Sequence, residues 1–190
     1  LEYLKEHGVY AAQGAPFYGS TRSPEHRFLT KSGKIELFSQ RLADAGHDPL
    51  PVYTAPVQPP PGSFRMVLGR KATHTHAATT NNEWLAELDG ANDLWLNPQP
   101  AAALGIASGD LIEVSSDVGT VRLPARVTEE IRPDCVFMLH GFGKRSRALR
   151  RAVGGASDAD LLTTAMDRVS GNAAFHETFV RVRRVEVHRA

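Results

Sequence analysis

From residue 63 onward the chain is written as a series of short apolar runs, each stopped by Gly, Asn, Ser or His. FRMVL (64–68), LWLN (94–97), LIEVSS (111–116), TVRLPARV (120–127), CVFML (135–139) and TFVRVRRVEV (178–187) are too short for membrane spans or long helices. Their β-branched and aromatic content, with period-two alternation, predicts strands. In 120–127, Val121, Leu123, Ala125 and Val127 fall on one face and Thr120, Arg122 and Arg126 on the other. The Asp117-Val118-Gly119 turn makes 111–127 a hairpin. CVFML is apolar throughout and reads as a strand covered on both faces. The last run loses its phase at Arg183-Arg184, where a bulge would restore it. Helical patterns between the strands are short: 81–88 with Trp84, Leu85 and Leu88 on one face, 98–105 with Pro98 at its start and Gly105 past its end, a basic 144–154, and 157–166 capped by Ser157 or Asp158. Unequal connections after 116 and 139 argue against regular βαβ units, so the pattern predicts a mixed β-barrel, mainly β with short helices.

Residues 1–62 differ. They end in PLPVYTAPVQPPPG (49–62), whose prolines forbid a helix and favour an extended strap. Before it, TKSGKIELFSQRLADAG (30–46) predicts a turn at Ser32-Gly33, a strand-like Lys34–Phe38 and a short helix ending at Gly46. The expected organisation is an arm and strap over 1–62 and a barrel over 63–190. The opening LEYLKEHGVYAAQG lacks an initiator Met and a secretory pattern, and reads as a cut from something longer.

Composition narrows the function classes. Twenty-two Lys+Arg against 21 Asp+Glu give a net charge of +1, which speaks against nucleic acid as the main partner. The single cysteine, Cys135, cannot alone hold a zinc site or an iron–sulfur cluster, and it lies in an apolar run, which makes it a core residue. No HExxH, CxxC or P-loop string occurs, and no nucleophile with its base can be picked out, so no catalytic or metal-ligating residue is assigned.

What stands out instead is four donor-rich loops, each at a strand end. In the first, GRKATHTHAATTNN (69–82), His74 and His76 are two apart and point opposite ways in an extended loop, a poor start for a two-His metal site; the loop instead offers Arg70, Thr75, Thr79, Thr80, Asn81, Asn82 and backbone N–H groups, a set that suits a phosphate or a polar heterocycle and equally suits a solvated, capped loop. The second, HGFGK (140–144), allows a close backbone approach at its glycines or is simply a tight turn. The third, SGNAAFHETF (170–179), carries Asn172, Phe175, His176 and Glu177. In the fourth, Asn97-Pro98, the amide either caps a helix or reads a base edge. The four loops are expected to converge on one rim of the barrel.

These strings, in this order, resemble the C-terminal molybdopterin-dinucleotide-binding domain of the dimethyl sulfoxide reductase family. TKSGKIELFS, LGRKATHTHAATTNN, LWLNPQPAAALGIASGDLIEVSSDVGTV, ARVTEEIRPDCVFMLHGFG and SGNAAFHETFVRV together span nearly all of residues 30–187. The His-Gly-Phe-Gly and His-Thr-His wording is most similar to the polysulfide and thiosulfate reductase branch, with arsenate-type reductases close by. The resemblance implies a double-psi β-barrel of about six to seven strands. It implies a cofactor, molybdopterin guanine dinucleotide carrying molybdenum or tungsten, on Gly69, Arg70, His74, Thr75, His76, Thr79, Asn97, His140, Gly141, Asn172 and His176. Where many relatives carry an acidic partner for the asparagine, this chain has Pro100. It further implies that metal ligand and iron–sulfur cysteines lie upstream, that the isolated chain has no redox activity, and that its partners are the rest of its own subunit, an iron–sulfur electron-transfer subunit and a membrane anchor in a periplasmic or membrane-associated complex, with no insertion of its own. The competing reading is a cofactor-free barrel that docks a protein or peptide, with the proline strap facing the partner.

Overall fold

The computed structural model describes residues 2–8, 28–90, 92–146, 148–150, 155–163 and 165–186. The chain divides into two units, Leu1–Ala55 and Pro56–Ala190, so the last prolines go with the second unit.

The first unit holds α1 (Glu2–His7) and α2 (Gln40–Asp44). Ser39 caps α2 by accepting from the Leu42 N–H. The turn at Ser32-Gly33 forms, with Gly33 at φ 66. The strand over Lys34–Phe38 does not. Thr30 donates to the Lys34 carbonyl at 2.7 Å and Glu36 accepts from the Ser32 hydroxyl at 2.8 Å, so side chains close the segment on itself. No neighbouring strand is present among the described residues to pair with it, and a lone strand leaves its backbone groups without partners.

The second unit is a closed six-stranded barrel, made of β1 (Phe64–Gly69), β2 (Leu94–Leu96), β3 (Leu111–Ser115), β4 (Thr120–Val127), β5 (Cys135–Leu139) and β6 (Phe179–Arg184). Around the barrel the order is β1-β5-β2-β4-β3-β6. Two pairs, β1 with β5 and β2 with β4, are parallel; all others are antiparallel. This is the double-psi barrel, with six strands. Alternation fills its interior with Met66, Leu94, Leu96, Ile112, Val114, Leu123, Val136, Met138, Val180 and Val182. On the outside of β5, Phe137 packs against Trp95 at 4.7 Å, and the Arg126 guanidinium covers the indole at 4.6 Å. Cys135 is a buried core residue whose thiol is pushed up by burial.

Three helices, α3 (His76–Thr79), α4 (Glu83–Asp89) and α5 (Pro98–Ala103), lie between strands. Asn82 caps α4 at the Leu85 N–H and Asn97 caps α5 at the Gln99 N–H. Two expected helices are not seen among the described residues. Residues 144–146 and 148–150 carry no helical backbone, and the rest of the expected 144–154 helix lies outside the described residues. Of 157–166, only Asp158–Asp160 forms a 3-10 turn, because the Asp158 carboxylate is engaged with His140 and Leu161 is drawn into the core.

The expected bulge in the last strand is also corrected. β6 keeps regular pairing with β3 from Ser115↔Arg181 to Ile112↔Arg184, and Val185 N–H continues the ladder to the Leu111 carbonyl. The phase slip is absorbed at the rim: Arg183 turns outward to Glu113 at 2.7 Å, and Arg184 reaches Asp110 at 3.2 Å. Glu113 is also held by Arg122 of β4 at 2.9 Å, and the two guanidinium groups pull its carboxyl below its ordinary value of 4.5. A depressed carboxylate stabilises the fold above its ordinary value and loses that contribution as pH falls through the lowered one. Glu113→Gln should therefore reduce stability at neutral pH and flatten the decline below about pH 4.5. Urea titrations across that range check it; an unchanged pH slope would contradict it.

Candidate functional site

Parallel pairing puts the carboxyl ends of β1 and β5 side by side, with Gly69 level with Leu139. Both strands then open into polar loops. His140 N–H donates to the Gly69 carbonyl at 3.0 Å, closing the pair. A side chain at Gly69 would strike the Phe137 ring at 2.7 Å. Gly141 takes φ 104, and a Cβ there would lie 2.7 Å from the Ala77 nitrogen. The loop after β5 thus runs directly against the start of α3, and Thr80, fully buried, bonds across to the Gly141 carbonyl. Gly143, at φ 74, lies equally close to the backbone of Ala156 and Ser157.

Beside these close approaches lies an open cavity of about 440 Å3 lined by Leu68, Gly69, His76, His140, Asp158, Ala159, Leu162, Phe175 and His176. Three imidazoles face it among aliphatic and aromatic groups. His140 bonds through Nδ1 to the Asp158 carboxylate at 2.6 Å, and Asp158 is 2% exposed. His76 sits edge-on to His140 with ring centroids 5.4 Å apart, on the one described non-glycine residue with positive φ, 44°. His176 lies on a 3-10 turn, Phe175–Glu177, just before β6. Its Nδ1 accepts from the Leu68 N–H at 3.3 Å. Arg65 secures that turn, donating to the His176 carbonyl at 2.7 Å and pairing with Glu177 at 2.8 Å.

The remaining expected residues divide by position. Arg70 is exposed and has no hydrogen-bond or ion-pair partner among the described residues. Thr75 is exposed at the start of α3, and its N–H donates to Thr79 Oγ1 at 2.8 Å. His74 is buried away from the cavity lining. Its Nε2 donates to the Asp89 carbonyl at 2.6 Å and its ring meets Phe142 edge-on. The geometry gives His74 the work of anchoring the loop. Asn172 is exposed on a turn bridged by Met166 and Ala173.

Asn97 requires a correction to the single-rim expectation. β2 runs antiparallel to β5, with Leu96 level with Val136. Its carboxyl end therefore emerges at the opposite pole, the length of β5 away, about 16 Å. There Asn97 caps α5 and donates to the Ile131 carbonyl at 2.8 Å. Three of the four loops share a cleft; the fourth does not. Conversely, Asp158 and the segment around it belong to the site and were read from the sequence only as a helix start. Its partner His140 is 18 residues away, and no local signal marks the pair. Among the described residues, no group of three or more His, Cys, Asp or Glu side chains could hold a metal ion, and no helix is long and apolar enough to cross a membrane.

Comparison with known proteins adds three findings. The family model described as "Molydopterin dinucleotide binding domain" matches residues 64–179. The chain is 34% identical over 158 residues to the thiosulfate reductase molybdopterin-containing subunit PhsA of Salmonella typhimurium, covering 80% of this chain and 20% of that protein. It is 28% identical over 171 residues to the dimethyl sulfoxide reductase DmsA of Escherichia coli, covering 82% and 21%. It spans about a fifth of the length of these relatives. Among solved structures, acetylene hydratase from Pelobacter acetylenicus shares the fold, with a TM-score of 0.70 at 22% identity over 86% of this chain and 25% of that one.

Proposed function

We propose, from the premise that the chain belongs to the molybdopterin-dinucleotide-binding domain family of molybdopterin oxidoreductases, that the cavity bounded by His76, His140 and His176 seats part of that dinucleotide in a larger enzyme. The observation that carries the reading is the meeting of three separate loops on one cavity, the first two pressed together at Gly141 and the third tied to β1 through His176 and Arg65. The residues fit such a group. Imidazole edges supply hydrogen bonds to a heterocycle, and Leu68, Leu162 and Phe175 supply apolar surface for its ring faces. The free guanidinium of Arg70, beside the cavity wall at Gly69, suits the pyrophosphate. Gly69, Gly141, Thr75 and Thr79 supply backbone and hydroxyl groups around it, while His74 keeps the loop in place. Asn97 and Asn172 would reach only the far parts of an extended ligand. When bound, the cofactor supplies the metal-centred redox chemistry; this chain binds and orients it.

In this reading the dinucleotide carries guanine, the parent enzyme is of polysulfide or thiosulfate reductase type, and the chain alone has no redox activity. The metal ligand, the iron–sulfur cysteines, the electron-transfer subunit and the membrane anchor belong to the rest of the complex. Similarity to PhsA over most of the chain supports the reductase type.

The test is substitution in the full-length enzyme. His176→Ala or His76→Ala removes a hydrogen bond of about 1.5–3 kcal/mol if the ring contacts charge. Molybdenum and pterin content should fall, with circular dichroism unchanged. Wild-type content in both variants would refute the assignment. Turnover of thiosulfate or polysulfide by the 190-residue chain with a viologen donor would refute its expected inactivity.

A further inference from the structure

We propose that Asp158 is a positioning residue that fixes the tautomer of His140, so that the cavity presents a hydrogen-bond acceptor beside a donor. Such a pair matches a lactam edge, an adjacent N–H and C=O on a fused heterocycle, rather than a phosphate. The ligand class rests on the cofactor reading above; the tautomer does not.

The two rings are bonded in opposite senses. Asp158 is buried, and its carboxylate receives His140 Nδ1 at 2.6 Å and the Gly141 N–H at 3.5 Å. An ionised carboxylate only accepts, so Nδ1 carries the proton and the neutral ring offers a lone pair at Nε2. For His176 the partner is the Leu68 N–H, which only donates. There Nδ1 holds the lone pair, and Nε2 carries the proton. The two residues are held at consecutive positions of β1, the His176 ring by the Leu68 N–H and His140 by its backbone N–H, which donates to the Gly69 carbonyl. The third ring, His76, has no hydrogen bond among the described residues to set its tautomer. A phosphate offers acceptors alone and would meet a lone pair at His140. A lactam satisfies both rings, and its ring system lies against Leu68, Leu162 and Phe175. Pterin and guanine both carry this edge.

The experiment uses the chain labelled with 15N-histidine, read by long-range proton–nitrogen correlation at about pH 8, above the ordinary imidazole value of about 6.5. His140 should show the Nδ1–H form and His176 the Nε2–H form. In D158N the Gly141 N–H retains the amide oxygen, the amide NH2 faces His140, and the ring should switch to Nε2–H. D158A should give a mixture and guards against a rearrangement peculiar to asparagine. Titration with biopterin or guanosine should move both Nε2 signals, with about tenfold weaker binding in D158N, while inorganic pyrophosphate moves neither. A preference between biopterin and guanosine identifies a pterin or a guanine seat. A wild-type His140 that is Nε2–H or doubly protonated, or one unmoved by D158N, overturns the tautomer assignment. A response to pyrophosphate in place of the lactams, or to neither lactam, overturns the ring-edge assignment. Wild-type cofactor content in the full-length His76→Ala and His176→Ala enzymes would refute the cofactor reading and leave the tautomer result standing, so the two failures are distinguishable.

Discussion

Gly141→Ala should destabilise the chain by about 2–6 kcal/mol, the sum of a backbone term of about 1–3 and an overpacking term of about 1–3. The backbone term comes from φ 104, which a residue with a Cβ rarely adopts. The overpacking term comes from the Ala77 nitrogen at 2.7 Å, the Ala77 Cα at 2.8 Å and the His76 carbonyl carbon at 3.0 Å. These are main-chain atoms at the start of α3 and cannot move aside as a flexible side chain can. Gly109 provides the control. It has φ 90, yet a Cβ there meets nothing within 4 Å, so Gly109→Ala carries the backbone term alone. Urea unfolding of both variants, with unchanged denaturant slope, separates the two contributions. Equal losses would show that the loops do not approach as closely as described. A larger loss for Gly141→Ala, together with reduced cofactor in the full-length enzyme, ties the close packing of the two loops to the cavity they form.

The strands were legible because each carries its own pattern. Val121, Leu123 and Ala125 alternate inward without help from elsewhere in the chain, and FRMVL and CVFML are too apolar to lie anywhere but in a core. The expected helix over 157–166 has helical composition but not the tertiary context to realise it, since Asp158 places its carboxylate on a ring rather than on a cap. Lys34–Phe38 alternates like a strand and finds no neighbour among the described residues. The site was partly legible. His76, His140 and His176 were flagged by their loops, and they meet. Asn97 was flagged by the same reasoning and does not join them, because composition locates a strand end without saying which pole it faces; only pairing direction decides that. His74 and His76 differ by two positions and by their whole environment, buried against Asp89 in one case and facing the cavity in the other.

The loop that carries His76 is anchored by a charge cluster at its root, and Lys71→Met should cost about 2–4 kcal/mol, somewhat less than the loss of one member of a fully buried pair. Lys71 is 9% exposed and its ammonium lies 2.9 Å from Asp89 and 3.8 Å from Asp93, which are 28% and 14% exposed. Asp93 also accepts from the Trp95 indole at 3.2 Å, and the Asp89 carbonyl accepts from His74. One ammonium thus ties the exit of β1 to the end of α4 and the start of β2. Methionine preserves most of the stem's packing but leaves two carboxylates facing each other in a partly desolvated site. If that repulsion and desolvation are the source of the loss, Lys71→Met combined with Asp89→Asn and Asp93→Asn should recover more than half of it, since neutral amides can share hydrogen bonds with each other and with Trp95. The groups are in contact, so the combined variant should depart from additivity by more than about 0.5 kcal/mol. Chemical denaturation of the single, double and triple variants measures both quantities. A Lys71→Met chain within about 0.5 kcal/mol of the parent, the range of an ordinary surface change, would mean that water rather than the ammonium satisfies these carboxylates and that the loop draws its position from His74 and the Gly141 contact alone.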